Sequence, residues 1–264
     1  MRAVHPCAPG AADAGGQRFA ITPDCYNAVL FDLDGVLTST AAIHAAAWKQ
    51  MFDDYLARRA TARGEPFRPF DINSDYRRYV DGRPRYEGVQ QFLESRDIHL
   101  PRGTPDAPQG EESVCGLGNM KDGLVHDAIE AGRVESYPGS VRFLNEVRQR
   151  GLRTAVVTSS RNCTLVLRAA HLDGLFDTQV DGRTIEDEGL RGKPAPDSFV
   201  RAAERLGVAP ARAVVVEDAI SGVRAGRDGH FGLVIGVDRH GDAESLCQNG
   251  AHVVVSDLAD LLDS

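Results

Sequence analysis

The sequence predicts an α/β fold: a parallel central sheet, interrupted once after its first strand by an inserted α-helical domain. Two observations carry this. Short runs rich in β-branched residues (Ala28–Phe31, Thr154–Thr158, Thr178–Val180, Ala213–Glu217, Leu233–Gly236 and His252–Val255) recur along the chain, and from Tyr137 onward they alternate with helical patterns. Between Thr40 and Tyr137 no stretch alternates as a strand does.

Residues 1–24 are rich in Ala, Gly and Pro and lack an apolar core of signal-peptide length, so they read as a disordered extension. Val29, Leu30 and Phe31 then form a buried strand that ends in Asp32 and Asp34, with Gly35 directly after. Ala41 to Ala60 reads as a helix, with Ile43, Ala47, Met51 and Leu56 near one face. Prolines 66, 69, 84, 101, 105 and 108 break the next stretch around short helical pieces such as Tyr86–Ser95, and Lys121–Ala131 is helical again. The reading is a core of residues 25–40 and 137–264, with a helical cap of residues 41–136. In the second half, Pro138-Gly139 opens a helix that stops at Gly151, and further helices span Thr164–His171 and Asp197–Leu206. Strands spaced by helices specify right-handed crossovers and a Rossmann-like core.

Composition narrows the partners. A chain of 264 residues with net charge −8 does not present the basic surface that nucleic acids select. No run reaches membrane-spanning length, and the expectation is a cytoplasmic monomer acting on a small molecule, without nucleic-acid or membrane partners. Five scattered cysteines (Cys7, Cys25, Cys115, Cys163, Cys247) without CxxC spacing read as reduced thiols rather than a disulfide framework.

Four features fall at, or just beyond, the carboxyl ends of the strands, where open parallel sheets bind ligands. They are Asp32 and Asp34, Thr158–Asn162, Lys193 in Gly192-Lys193-Pro194, and Glu217-Asp218. Taken singly each is weak, since an Asp-x-Asp-Gly also suits a turn and Glu217-Asp218 also suits a helix cap. Together they demand a counter-ion: two carboxylates 4 Å apart repel by about 4 kcal/mol at an effective dielectric near 20. Lys193 supplies one positive charge, and an all-oxygen cluster beside a phosphate selects Mg2+ over zinc. The chemistry that fits is phosphoryl transfer to a carboxylate.

The set Asp32-Leu-Asp34-Gly-Val-Leu-Thr, Thr158-Ser-Ser, Lys193-Pro194 and Glu217-Asp218 resembles the four motifs of the haloacid dehalogenase-like phosphotransferases. Within that superfamily the chain is most similar to the β-phosphoglucomutases, through Thr38-Ser-Thr40, His44, Trp48, Gly82-Arg-Pro-Arg85, Lys121, Ser160-Arg161-Asn162 and Gly192-Lys-Pro-Ala-Pro-Asp197. The resemblance implies interconversion of β-glucose 1-phosphate and glucose 6-phosphate through a phospho-Asp32 enzyme and a bisphosphate intermediate. It makes Asp34 the general acid/base and places Mg2+ on Asp32, the Asp34 carbonyl and Asp218, with Glu217 close by. Thr158, Ser159 and Lys193 would hold the transferring phosphoryl group. Arg85, Ser160, Arg161 and Asn162 would grip the second phosphate, while His44 and Lys121, with Trp48 near them, contact the sugar and Asp34. Thr38, Ser39 and Thr40 would act as hinge. The chain departs from the family pattern at Ser39, Asp122 and Ala219, where aspartate, asparagine and serine are common. A sugar-phosphate phosphatase on the same fold is the alternative activity, and a non-catalytic sugar-phosphate-binding protein the alternative class.

Overall fold

The computed structural model describes residues 5–7, 21–239 and 241–262. The chain folds into two compact units: one runs to Ser39 and resumes at Glu135, and the other spans Thr40–Val134.

In the first unit, β1 (His5–Pro6) and β2 (Ala28–Phe31) precede the insertion. The second unit holds α1 (Thr40–Arg63), a π-helical turn at Tyr76–Val80, α2 (Arg85–Ser95) and α3 (Val114–Glu130). No strand is present among its described residues. Its core is aromatic: the Phe52 ring lies 4.2 Å from Phe92 and 5.0 Å from Phe70, with Trp48 stacked on Phe52 at 5.3 Å. Ser113 caps α3, its side chain accepting from Gly116 N–H, which starts that helix well before Lys121.

After the insertion come α4 (Pro138–Gln149), β3 (Arg153–Val157), α5 (Cys163–Ala169), β4 (Thr178–Val180), α6 (Gly182–Asp187) and α7 (Asp197–Leu206). Then follow β5 (Ala213–Glu217), α8 (Ile220–Asp228), β6 (Leu233–Val237), α9 (Ala243–Gln248) and β7 (Val253–Val255). The sheet order is β1-β7-β6-β5-β2-β3-β4, parallel throughout except for β1. Strand β2 is central, pairing β3 on one side and β5 on the other, with Phe31 level with Val156 and Val216. All four of its residues are buried, because helices cover both faces. Phe199, Ala202, Ala203 and Leu206 form the apolar stripe of α7, and Gly207, at φ 64°, ends the helix in the left-handed region.

Two expectations are corrected. The segment 1–24 is not wholly an unstructured extension: His5 and Pro6 pair antiparallel with Val254 and Val253, and Ile21 is buried, its carbonyl accepting from Arg150. The exposed edge of β7 supplies unpaired backbone groups, which a short extended segment satisfies. Residues 1–4 and 8–20 of that expected extension lie outside the described residues. The cysteines are also not all reduced, because Cys7, just after β1, is disulfide-bonded to Cys247 in α9. Pairing β1 on β7 brings together two cysteines 240 positions apart. Among the described residues, no helix is long and apolar enough to cross a membrane.

Candidate active site

Asp32 and Glu217 reach the same place because β2 and β5 are parallel neighbours, with Phe31 level with Val216. Asp32 follows β2 directly, its N–H continuing the ladder to Val216 O, while Glu217 closes β5. Between them lies Lys193, 1% exposed. Its ammonium donates to Asp32 Oδ1 at 2.5 Å, to Glu217 Oε1 at 2.7 Å and to Val157 O at 3.2 Å, using all three donors. Burial alone would lower the Lys193 pKa, but the Asp32 and Glu217 carboxylates outweigh it and hold the amine above its ordinary value, firmly charged. Burial pushes the Asp32 carboxyl well above the usual carboxylate range; Lys193 opposes this, while Glu217 and Asp34 add to it. The cluster thus carries more negative charge than one lysine balances.

Glu217 is fixed at both ends, with Oε2 accepting from the Ala219 N–H at 2.8 Å. Room for it comes from Gly222, where a Cβ would stand 1.7 Å from Oε1. Gly35, at φ +87°, plays the same part for Asp218: an added Cβ would meet its Oδ2 at 1.9 Å. The sequence reading missed Gly222 and the Ala219 amide, since nothing local distinguishes them from ordinary helix residues.

Beyond β3, Thr158 Oγ1 donates to Asp34 Oδ2 at 3.2 Å and accepts from Ser160 N–H at 3.0 Å, and Ser160 Oγ accepts from Asn162 N–H at 3.2 Å. This knits Thr158–Asn162 into one loop beside Asp34. The side chain of Arg161 leaves it toward α6, with Nη1 3.6 Å from Glu186 Oε2. Cys163, at the start of α5, is buried, and burial raises its thiol pKa well above the ordinary value, with Asp181, Asp34 and Asp32 adding to the effect. It packs as a neutral side chain.

Oxygen atoms of Asp32, Glu217 and Asp218 all lie within 4.8 Å of one another. This hard-oxygen set, with excess negative charge, fits a small divalent cation and not a soft metal. Within this set Glu217 uses Oε1 for Lys193 and Oε2 for the Ala219 N–H, while Asp32 uses Oδ1 for Lys193.

In the second unit a separate group assembles. Lys121 Nζ stands 2.7 Å from His44 Nδ1 and 5.0 Å from the centre of the Trp48 ring, and all three residues are buried. Arg85, 9% exposed, pairs with Asp122 Oδ2 at 3.1 Å and donates to the Tyr86 hydroxyl at 2.7 Å and Asn119 Oδ1 at 3.0 Å. Trp48 belongs to the aromatic core, so it supports Lys121 from beneath. At the junctions, Thr38 Oγ1 donates to Leu33 O, and the Ser39 N–H and Oγ both donate to Glu135 O. Thr40 opens α1.

A family model described as haloacid dehalogenase-like hydrolase matches residues 26–230. A β-phosphoglucomutase of Mycobacterium bovis is 51% identical over 243 residues, covering 91% of this chain and 93% of that protein. A phosphorylated carbohydrates phosphatase of Thermotoga maritima is 29% identical over 234 residues, covering 86% and 93% of the two chains. Among solved structures, a β-phosphoglucomutase of Clostridium difficile superposes with a TM-score of 0.69 at 24% identity, over 89% of this chain and 93% of that one, a likeness of fold. The braced carboxylate after a central parallel strand and the match across most of the sequence lead to one assignment: the chain belongs to the haloacid dehalogenase-like hydrolase family.

Proposed function

We propose that this protein is a β-phosphoglucomutase that interconverts β-glucose 1-phosphate and glucose 6-phosphate. The observation that carries the reading is the Asp32–Lys193–Glu217 brace in a chain 51% identical to a β-phosphoglucomutase. A buried carboxylate held by a fixed ammonium is a positioned nucleophile with its flanking positive charge already in place.

One Asp32 oxygen attacks phosphorus, the bond from phosphorus to the sugar oxygen breaks, and Asp34 delivers a proton to that leaving oxygen. In the other half-reaction the remaining hydroxyl of a glucose monophosphate attacks the aspartyl phosphate, the bond from phosphorus to the Asp32 oxygen breaks, and Asp34 takes the hydroxyl proton, giving the 1,6-bisphosphate. Lys193 with Thr158 and Ser159 holds the transferring group. Mg2+ on Asp32, Asp218 and the Asp34 carbonyl, near Glu217, supplies the remaining positive charge when bound. Arg85, Ser160, Arg161 and Asn162 grip the phosphate that is not transferring, a demand that a mutase adds to a phosphatase. For Arg161 this means exchanging Glu186 for phosphate. His44 and Lys121, supported by Trp48, contact the sugar, and Thr38–Thr40 serve as hinge. With net charge −8 and a sugar phosphate as substrate, we place the protein in the cytoplasm as a monomer without nucleic-acid or membrane partners.

The 29%-identical carbohydrate phosphatase supplies the rival activity. Phosphorus NMR of the protein with β-glucose 1-phosphate, Mg2+ and a catalytic amount of glucose 1,6-bisphosphate separates the two. Glucose 6-phosphate should accumulate. Steady release of inorganic phosphate with no 6-phosphate would replace the mutase by the phosphatase.

A further inference from the structure

The turn that carries Asp34 has a second set of supports that none of the four motifs includes. Inside the turn, Gly35 N–H donates to Thr38 O at 2.8 Å, and the Leu37 and Thr38 N–H groups both donate to Leu33 O at 3.0 Å. These bonds leave the carbonyls of Gly35, Val36 and Leu37 directed outward. Arg239, two residues beyond β6, takes the first two: Nε donates to Gly35 O at 2.8 Å and Nη2 to Val36 O at 3.4 Å. Its third arm, Nη1, donates to Ser256 O at 3.1 Å. Ser140 Oγ shares Val36 O at 2.6 Å, and the Tyr137 N–H takes Leu37 O at 2.9 Å. The Arg239 guanidinium carbon lies 3.7 Å from the centre of the Tyr137 ring, so stacking fixes its plane.

We propose that Arg239 is a positioning residue for phosphoryl transfer: by holding the Gly35 and Val36 carbonyls and stacking on Tyr137, it fixes the Asp34 turn in the geometry that proton delivery needs. This deepens the mutase reading and rests on its assignment of Asp34. Only a planar fork with three divergent arms satisfies three carbonyls from two separate loops at once; a lysine reaches one or two, and a methionine none. Gly35 backs directly onto Asp218, so movement of the turn changes the spacing between its backbone and that carboxylate as well. A misplacement of about 1 Å in such a site costs on the order of a hundredfold in rate.

The role leaves a signature that a merely structural residue would not. An alkyl phosphate needs a proton on its departing sugar oxygen, whereas acetyl phosphate transfers its phosphoryl group to the Asp32 carboxylate and releases acetate, which needs none. The experiment compares wild type, Arg239→Met and Arg239→Lys, each checked for folding by circular dichroism, with these two substrates and Mg2+, the β-glucose 1-phosphate assays being primed with a catalytic amount of glucose 1,6-bisphosphate. In Arg239→Met, kcat for β-glucose 1-phosphate should fall by about 10- to 100-fold. Phosphorylation by acetyl phosphate should fall at least about tenfold less, with KM nearly constant, and Arg239→Lys should lie between. Equal losses with both substrates, or no loss with either, would overturn the proposal. Where Arg239→Met does not fold, the lysine variant decides by the same ratio. If wild type itself does not turn over β-glucose 1-phosphate, the mutase reading fails by itself. Arg239 is then judged on hydrolysis of glucose 6-phosphate, another alkyl phosphate, against acetyl phosphate.

Discussion

Replacing Lys193 by methionine removes the ammonium and keeps most of the side chain's apolar volume. The stem is fully enclosed, so little cavity forms and the effect is electrostatic. Two buried carboxylates, Asp32 and Glu217, lose their donors at 2.5 and 2.7 Å, and Val157 O loses a third bond. Breaking a buried ion pair from one side typically costs about 3–5 kcal/mol, because the charge left behind has neither water nor partner. In a protein of this size each kcal/mol moves the melting temperature by roughly 2–4 °C, so a fall of about 6–20 °C is expected at neutral pH without divalent ions. Melting followed by far-UV circular dichroism measures it. Trp48, the sole tryptophan, lies in the other unit, and its fluorescence reports that unit separately. The double variant Lys193→Met/Glu217→Gln should melt above the single variant, since one of the stranded charges is gone. Added Mg2+ should also raise the melting point of Lys193→Met more than that of wild type. A melting point within about 2 °C of wild type would refute the argument that the brace carries this load.

Other expectations follow from the same geometry. Gly35→Ala forces a Cβ toward Asp218 at a positive φ, and should weaken Mg2+ activation at least about tenfold in a metal titration; unchanged metal dependence would mean that Asp218 is not a ligand. Asp122→Asn frees the Arg85 guanidinium from a competing carboxylate. It should lower KM for the bisphosphate by a few-fold, on the order of 1 kcal/mol, with kcat little changed; a constant KM would detach Arg85 from phosphate binding. Iodoacetamide should alkylate exposed Cys25 at least about a hundredfold faster than Cys163, whose thiol is buried and has a raised pKa; comparable rates by mass spectrometry would contradict that burial.

Much of the parallel sheet was legible in the sequence, because each strand is an apolar run bounded by turn residues: Thr178–Val180 and Ala213–Glu217 coincide with the observed strands. The motif residues were legible for a related reason, since a parallel sheet sends every strand end to one face. Helices α8 and α9 escaped notice. The first, Ile220–Asp228, carries two glycines, and the second is only six residues long, too short for a period to show. What linked distant positions was invisible. The Cys7–Cys247 bond, the β1–β7 pairing and the Arg239 fork join residues more than two hundred apart, and neither partner has a local pattern that names the other. For Trp48 the sequence left core and substrate contact both open, with core the commoner role for a tryptophan, and its stack on Phe52 places it in the hydrophobic interior.

The two-residue strand at the amino end bears on how the molecule behaves in company. Without His5 and Pro6, the last parallel strand would present an open row of amides and carbonyls to any neighbouring copy, an invitation to edge-to-edge association. Pro6 lacks an N–H, so the segment that closes this row is itself a poor template for further growth. A version trimmed to begin at Tyr26 would keep every catalytic group and lose this seal. Its difficulty would lie in colloidal behaviour, with turnover per folded molecule intact while the folded fraction declines through self-association.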